Sequence, residues 1–296
     1  MASTLGVGGM RRFLTAASAA IVISGGLAAC GSSPGGGAAS PSAPAASCTR
    51  AAISHLLYRP GVLTVATDNP AYTPWFENND PANGKGYESA VAYAIARQLG
   101  FARHQVVWVH ESFNSSYGPG PKPFDFDINE ISYTPQRAQA VTFSASYYDV
   151  QQAIVALKGT PIVTRHSPAQ LRTYLYGDQI GTTGLAYIDE HIRPVQTPKV
   201  FNTLAEAAAA LEAHRVDAIV VDTPDGQYMA TAQIKHAVLV AQFPSTGEHY
   251  GLVFAKGNPL VTCVNRAIAA LKANGTLAAL QKQYLGIYLK FPTIAP

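Results

Sequence analysis

Two periodicities of apolar residues recur along the chain. Residues 63–67 alternate as a strand and run into Asp68-Asn69-Pro70, a turn signal. Residues 88–99 place Val91, Ala94, Ile95 and Leu99 at helical spacing, and Gly100 ends the run. Further strands are predicted at 105–110, 125–131 and 151–157. The second half repeats the alternation. A short strand at 179–181 ends in Gly181-Thr182-Thr183-Gly184, an Ala-rich helix spans 203–214, and a buried strand spans 216–221. Strands at 238–241 and 250–255 follow. Two helices close the chain. Leu260, Val264, Ala267, Ile268 and Leu271 share a face of the first, and Leu277, Leu280 and Tyr284 a face of the second.

Strands alternating with helices of about a dozen residues predict α/β architecture. In open α/β sheets, ligands bind at the carboxyl ends of strands. Asp68, residues 129–132, residues 181–184 and Asp222 all fall at predicted strand ends.

The first 47 residues follow neither period. Arg11 and Arg12 head a charge-free stretch, 13–29, that ends in small residues, which is the pattern of a secretory signal. Ser, Thr and Gly dilute its apolar run and no charge cluster flanks it, which argues against a permanent membrane helix. Leu27-Ala28-Ala29-Cys30 resembles a bacterial lipobox, which implies that Cys30 becomes a lipidated first residue. Residues 31–47 are Gly, Ser, Pro and Ala. They bury too little to fold and read as a flexible tether. A folded body of roughly 245 residues remains, enough for one large domain or two medium lobes.

Charge changes this picture little. The chain carries a formal +3, and without Arg11 and Arg12 its remainder is near neutral. It has no clustered basic face of the kind that nucleic-acid binding needs. Cysteine says more. With Cys30 set aside, Cys48 and Cys263 remain. Two cysteines in an exported chain imply one bridge, tying the start of the folded body to a C-terminal helix, or else two free thiols. The eight histidines are scattered, with no His-x-x-x-His or Cys-x-x-Cys pair, so metal chemistry is disfavoured and no metal or cofactor is expected.

Several segments, in order, carry a family resemblance. Residues 61–68 resemble an opening strand, and Tyr72-Thr73-Pro74-Trp75-Phe76 the aromatic-Pro turn after it. Gly86-Tyr87-Glu88 opens the first helix. Ser132-Tyr133-Thr134-Pro135-Gln136-Arg137-Ala138, with Phe143-Ser144 and Tyr147-Tyr148, is the most specific piece. Gly181-Thr182-Thr183 and Arg215-Val216-Asp217-Ala218 with Asp222 complete it. Over residues 55–290 the chain resembles the family 3 extracellular solute-binding proteins, the receptors of amino-acid ABC importers. The resemblance implies a periplasmic-binding-protein-like fold of two α/β lobes, joined by two hinge strands with the ligand cleft between them. The lobes are then expected at 48–152 with 249–296, and at 153–248. Residues 114–123 depart from the family, because Gly and Pro break the helix that stands there in other members.

The resemblance also assigns roles. Arg137 would bind the ligand carboxylate through its planar fork; read alone, it is a surface Arg in a first helical turn. Thr183 and Thr182 would add contacts at a helix N-terminus, where anions are favoured. Ser132, Asn129 and Glu130 would form the first-lobe wall. Asp222 would bind the α-ammonium; its alternative is an N-cap. Asp68, Tyr72, Trp75 and Phe113 would line the side-chain pocket. Glu130 with Asp68 would place two carboxylates near the ligand side chain and favour a basic or polar amino acid, unless Glu130 faces away and pairs within the protein.

The implied protein is a lipid-anchored, extracytoplasmic, monomeric receptor. It captures an amino acid by lobe closure, presents it to the membrane subunits of an importer, and catalyses nothing. Two rivals stand beside it. One is an exported enzyme on the same fold, like cyclohexadienyl dehydratase, with Glu130 as its acid or base. The other is a ligand-sensing module for a membrane kinase.

Overall fold

The computed structural model describes residues 47–286, 291, 293 and 294. The expected signal at 1–29, Cys30 and all of the tether except Ser47 lie outside the described residues. Among the described residues, no helix is long and apolar enough to cross a membrane.

Twelve strands follow in chain order: β1 (Leu63–Thr67), β2 (Val106–His110), β3 (Phe126–Asp127), β4 (Val141–Phe143), β5 (Tyr148–Asp149) and β6 (Gln152–Leu157) in the first half. The second half adds β7 (Tyr176–Gln179), β8 (Lys199–Phe201), β9 (Ala218–Asp222), β10 (Ala237–Gln242), β11 (His249–Tyr250) and β12 (Val253–Ala255). Ten of them form two five-stranded sheets, ordered β2-β1-β3-β12-β4 and β10-β6-β9-β7-β8. Each sheet mixes parallel and antiparallel pairs and has its own core, which makes two α/β lobes. The chain leaves the first sheet through β5 and returns through β11, and these two strands pair antiparallel as a separate ribbon.

Alternation explains the second sheet. Ile154 and Ala156 of β6 pack on one face with Ala218 and Val220 of β9. Val155 and Leu157 pack on the other face with Ile219 and Val221. In the first lobe, the helix Tyr87–Gln98 buries Val91, Ala94 and Ile95 against Leu63, Val65 and the helix Leu260–Ala273. Gly86 opens the helix Tyr87–Gln98 at φ 92°, where a Cβ would strike the backbone of Trp75 and Phe76. The first helical N–H groups donate to the carbonyls of Pro74 and Trp75, so the aromatic-Pro turn is fixed to the helix start.

Several boundaries differ from the sequence pattern. The strand expected at 125–131 is two residues long. Asp125 instead accepts backbone N–H bonds from Tyr58 and Thr64 at 2.6 Å each, and the chain turns away after Asp127. The strand expected at 179–181 runs at Tyr176–Gln179, because Gly181 adopts φ 80°. Residues 250–255 split into β11 and β12. Residues 114–123 hold one helical turn, Phe113–Ser116, and no longer helix. Thr203 is the cap of the Ala-rich helix rather than part of it, in a capping box with Glu206. At the C-terminus, Thr293 bridges to Gln242, and Ile294 packs in the second lobe's core. The end of the chain therefore does not stay with the first lobe as expected.

Cys48 and Cys263 form a disulfide, with Cα atoms 5.3 Å apart and 215 positions between them in sequence. It fastens the first described residues to the helix Leu260–Ala273. Replacing both cysteines by Ser should cost on the order of 2–5 kcal/mol of stability. Thermal unfolding of the double variant against the parent measures this, and an unchanged midpoint would contradict it.

Candidate ligand-binding site

One cavity is lined from both lobes at the ends of their strands. It draws Asp68 from beyond β1, Asn129 and Glu130 from beyond β3, Gln179 and Thr183 from around the end of β7, and Asp222 from β9.

Its cation is Arg137, only 8% exposed. Its Nη1 donates to the Ser132 carbonyl at 2.8 Å, and its Nη2 crosses to the Gly181 carbonyl at 2.7 Å. Its guanidinium lies 4.2 Å from the Tyr117 ring centre and 5.4 Å from that of Phe113. Burial pulls its pKa down, while Tyr117, Glu248 and Asp222 act the other way. A guanidinium has five N–H donors, so two carbonyl bonds leave donors over for a carboxylate. Facing it is the turn 179–183. Gly181 sits at φ 80°, where an L side chain is strained, and a Cβ there would crowd the ends of the Tyr117 and Asn114 side chains. Thr182 caps the next helix by accepting from the Leu185 N–H at 3.1 Å. Thr183 accepts from Gln152 at 3.3 Å.

The lining beside Arg137 is acidic. Asp222 accepts from the Tyr250 hydroxyl and from Gln152 Nε2. It sits at the N-cap position of the helix Thr223–Tyr228, yet its side chain caps nothing, so the bland alternative for Asp222 does not hold. One turn further on, Asp225 accepts from Trp75 Nε1 at 2.7 Å and shares a side-chain hydrogen bond with Glu130. Glu130 has φ 55°, and its N–H donates to Glu88 at 2.8 Å. Glu88 in turn accepts from the Tyr147 hydroxyl. Burial, with Glu248 next, holds Asp222 well above the usual carboxylate range; burial, with Asp225 next, does the same to Glu130. Burial pushes Asp225 up to about 7 and Glu88 up to about 8.

Most of the expected residues line this cavity together: Arg137, Asp222, Thr182, Thr183, Asn129, Glu130, Asp68, Tyr72 and Phe113. Trp75 and Ser132 do not. Trp75 is fully buried, edge-on to Tyr87, Tyr148 and Tyr250, and reaches the site only through Asp225. Ser132 is also buried; its carbonyl orients Arg137 and its hydroxyl donates to Glu248 at 2.5 Å. Asp68 and Glu130 both line the cavity; Asp68 meets His110 at 3.2 Å, and Asp225 is the carboxyl hydrogen-bonded to Glu130. Sequence reasoning missed Asp225, Gln152 and Asp178. Asp225 stands three residues after Asp222, on the same helical face, and that spacing was available to be read. Gln152 is the ladder partner of Asp222. Asp178 is buried near the end of β7, Tyr176-Gly177-Asp178-Gln179, one residue before the strand that the sequence pattern predicts.

Comparison with known proteins decides the family. Residues 63–287 match the bacterial extracellular solute-binding proteins, family 3. The chain belongs to that family. This family 3 protein is 26% identical over 207 residues to the ABC transporter arginine-binding protein 1 of Escherichia coli (strain K12), covering 67% of this chain and 81% of the relative. It also resembles the structure of an ancestral arginine-binding protein bound to arginine, with a TM-score of 0.63 and 26% identity over 76% of this chain and 99% of the other. An ancestral amino-acid-binding protein described as a precursor of cyclohexadienyl dehydratase gives a TM-score of 0.62 at 27% identity, covering 76% and 95% of the two chains. The curated relatives are amino-acid-binding transport proteins, and this family 3 member is likewise a binding protein rather than an enzyme.

The raised carboxyls set a pH dependence. Their folded pKa values lie above their unfolded ones, so folding favours the protonated forms. That contribution is complete below about pH 4 and is lost as pH rises through about 7 for Asp225 and about 8 for Glu88. The ligand-free protein should therefore unfold at a higher temperature at about pH 5 than at about pH 8. Calorimetric melting across that range tests it, and a flat or rising profile would refute the assignment.

Proposed function

We propose that this protein is the lipid-anchored receptor of an ABC importer and that it captures a basic amino acid between its lobes. The observation that carries the reading is the set of charges in one cavity: Arg137 as its cation, with Asp222, Asp225 and Glu130 in the same lining. An amino acid has one carboxylate and one ammonium at fixed separation. Arg137 and Thr183 take the carboxylate and Asp222 the ammonium. Tyr72 and Phe113 flank the stem, and the surplus of acids favours a second positive charge. Likeness to proteins named for arginine supports the same class.

Capture couples to closure. Arg137 comes from the first lobe, while Thr183 and Asp222 come from the second. A ligand that touches both gains its full contacts only in the closed form and shifts the population toward it. The importer's membrane subunits would read that form, and a lipid on Cys30 would hold the receptor within reach of them.

A thermal-shift screen against the twenty amino acids, followed by calorimetry, tests the reading. Arginine or lysine should raise the melting temperature and glutamate should not; tight glutamate binding with no response to basic amino acids rejects it. Arg137→Ala leaves a ligand carboxylate buried without its cation. Affinity should fall on the order of a hundredfold or more, since breaking such a pair costs roughly 3–5 kcal/mol. Unchanged affinity in calorimetry removes Arg137 from the site. For the anchor, Cys30→Ala expressed in a bacterial host should move the protein from the membrane fraction to the medium or periplasm. Retention in the membrane would overturn lipidation.

A further inference from the structure

The sheets bring two carboxyl groups together where a single ammonium needs only one. Glu130 projects from the loop after β3 of the first sheet, and Asp225 from the helix after β9 of the second. Both line the cavity and share a hydrogen bond. Two carboxyls at hydrogen-bond distance cannot both ionise, so a proton lies between them. We propose that Glu130 and Asp225 are the receptacle for the ligand's side-chain cation, and that the proton they share leaves to solvent when the cation arrives. This rests on the amino-acid reading above and adds the residues that select the side chain.

The pair is held in place from behind. Trp75 Nε1 fixes Asp225 at 2.7 Å, and the Trp75 ring is locked among Tyr87, Tyr148 and Tyr250. Glu130 sits in a left-handed conformation that Glu rarely adopts, and Glu88 retains it there through the backbone N–H. Strain kept by a second buried acid points to a purpose for the side chain so presented.

The groups around the pair supply no counter-charge. The acids facing it are Asp222 and Glu88, and the phenols are Tyr72, Tyr147, Tyr148 and Tyr250. Asp68 also lines the cavity and acts on Tyr72. Arg137, the cation of the cavity, faces Asp222 and Glu248 instead. Among the described residues, no three His, Cys, Asp or Glu are arranged to hold a metal ion. A guanidinium or ammonium on the ligand therefore fits best, and its arrival makes the ionised pair favourable. The proton is then released and the charge balance inside the cavity is kept.

Calorimetry of arginine, and of its neutral isostere citrulline, in buffers of differing ionisation enthalpy measures the protons released per ligand. At about pH 8, above the value near 7 to which Asp225 is raised, the pair holds a single proton, so arginine should release about one proton and citrulline none. Affinity for arginine should rise by up to about tenfold per pH unit until the pair ionises unaided, then level off. Glu130→Gln and Asp225→Asn should each abolish the release and weaken arginine by about tenfold or more, with citrulline little changed. Should either variant fold poorly, the other and the wild-type buffer series still decide. Arginine binding without proton release, or with release intact in both variants, overturns the inference and leaves the amino-acid reading standing. Failure of every amino acid to bind sinks both.

Discussion

Like charge withdrawn from water is the constraint on which this cleft depends. Asp225 and Glu88 are buried and Asp222 and Glu130 half-buried beside them, and Asp225 raises the cost of ionising the other three. The repulsion between two such charges grows about fourfold when the effective dielectric falls from that of water to about 20. The protein answers by keeping protons and by aiming donors. Trp75, Tyr147 and Tyr250 each bring a polar tip to one of the acids. Their rings pack together edge-on or tilted beneath the cavity floor. The aromatic cluster is therefore both core and electrostatic support, a dual use open to Trp and Tyr and closed to Phe.

The same groups decide how the two lobes meet. Trp75 reaches from the first lobe to Asp225 of the second, and Arg137 reaches across to Gly181. Ser132 reaches to Glu248, just before the chain returns through β11. All three contacts are polar, and two of them involve a residue that lines the cavity, Asp225 or Arg137. An interface of this kind holds less tightly than a continuous apolar core, which suits lobes that must part and rejoin. A ligand competes with these contacts, and only the difference between its contacts and theirs drives closure.

How much of this was legible depended on what each residue does. The helix at 88–99, the strands at 63–67 and 216–221 and the closing helices follow from apolar spacing, because burial on one face imposes a period. The disulfide followed from two cysteines left over in an exported chain. The site was legible where a motif carried it: Arg137, Thr183 and Asp222 converge on one cavity. It was misread where burial looks the same for two purposes. Trp75 reads as a pocket wall, yet it is a core ring with a donor aimed at Asp225. Asp178 lies inside a strand whose neighbours are buried, and nothing in its local pattern separates a cavity acid from a strand end. Residues 114–123 gave only a negative, no long helix. Yet Tyr117 within them stacks on Arg137, a contact made by tertiary approach and not by local period.

Some buried polar atoms at the cavity have no protein partner: Asn129 Nδ2, Gln152 Oε1 and Asp178 Oδ2. An unpaired buried group costs roughly 1–3 kcal/mol. A fold selected for stability alone would replace or satisfy them. They are tolerated here beside a strained Glu130, two neighbouring carboxyls and an arginine tied to two carbonyls. These local costs gather around the cavity on residues of both lobes, while both faces of the second sheet are packed with alternating apolar residues; Thr64 and Asp127 carry further unpaired oxygens in the first sheet. That distribution is what preorganisation looks like in energetic terms. The stable sheets hold the unsatisfied groups at fixed positions, and the free energy kept from folding is returned when complementary charge and hydrogen bonds arrive.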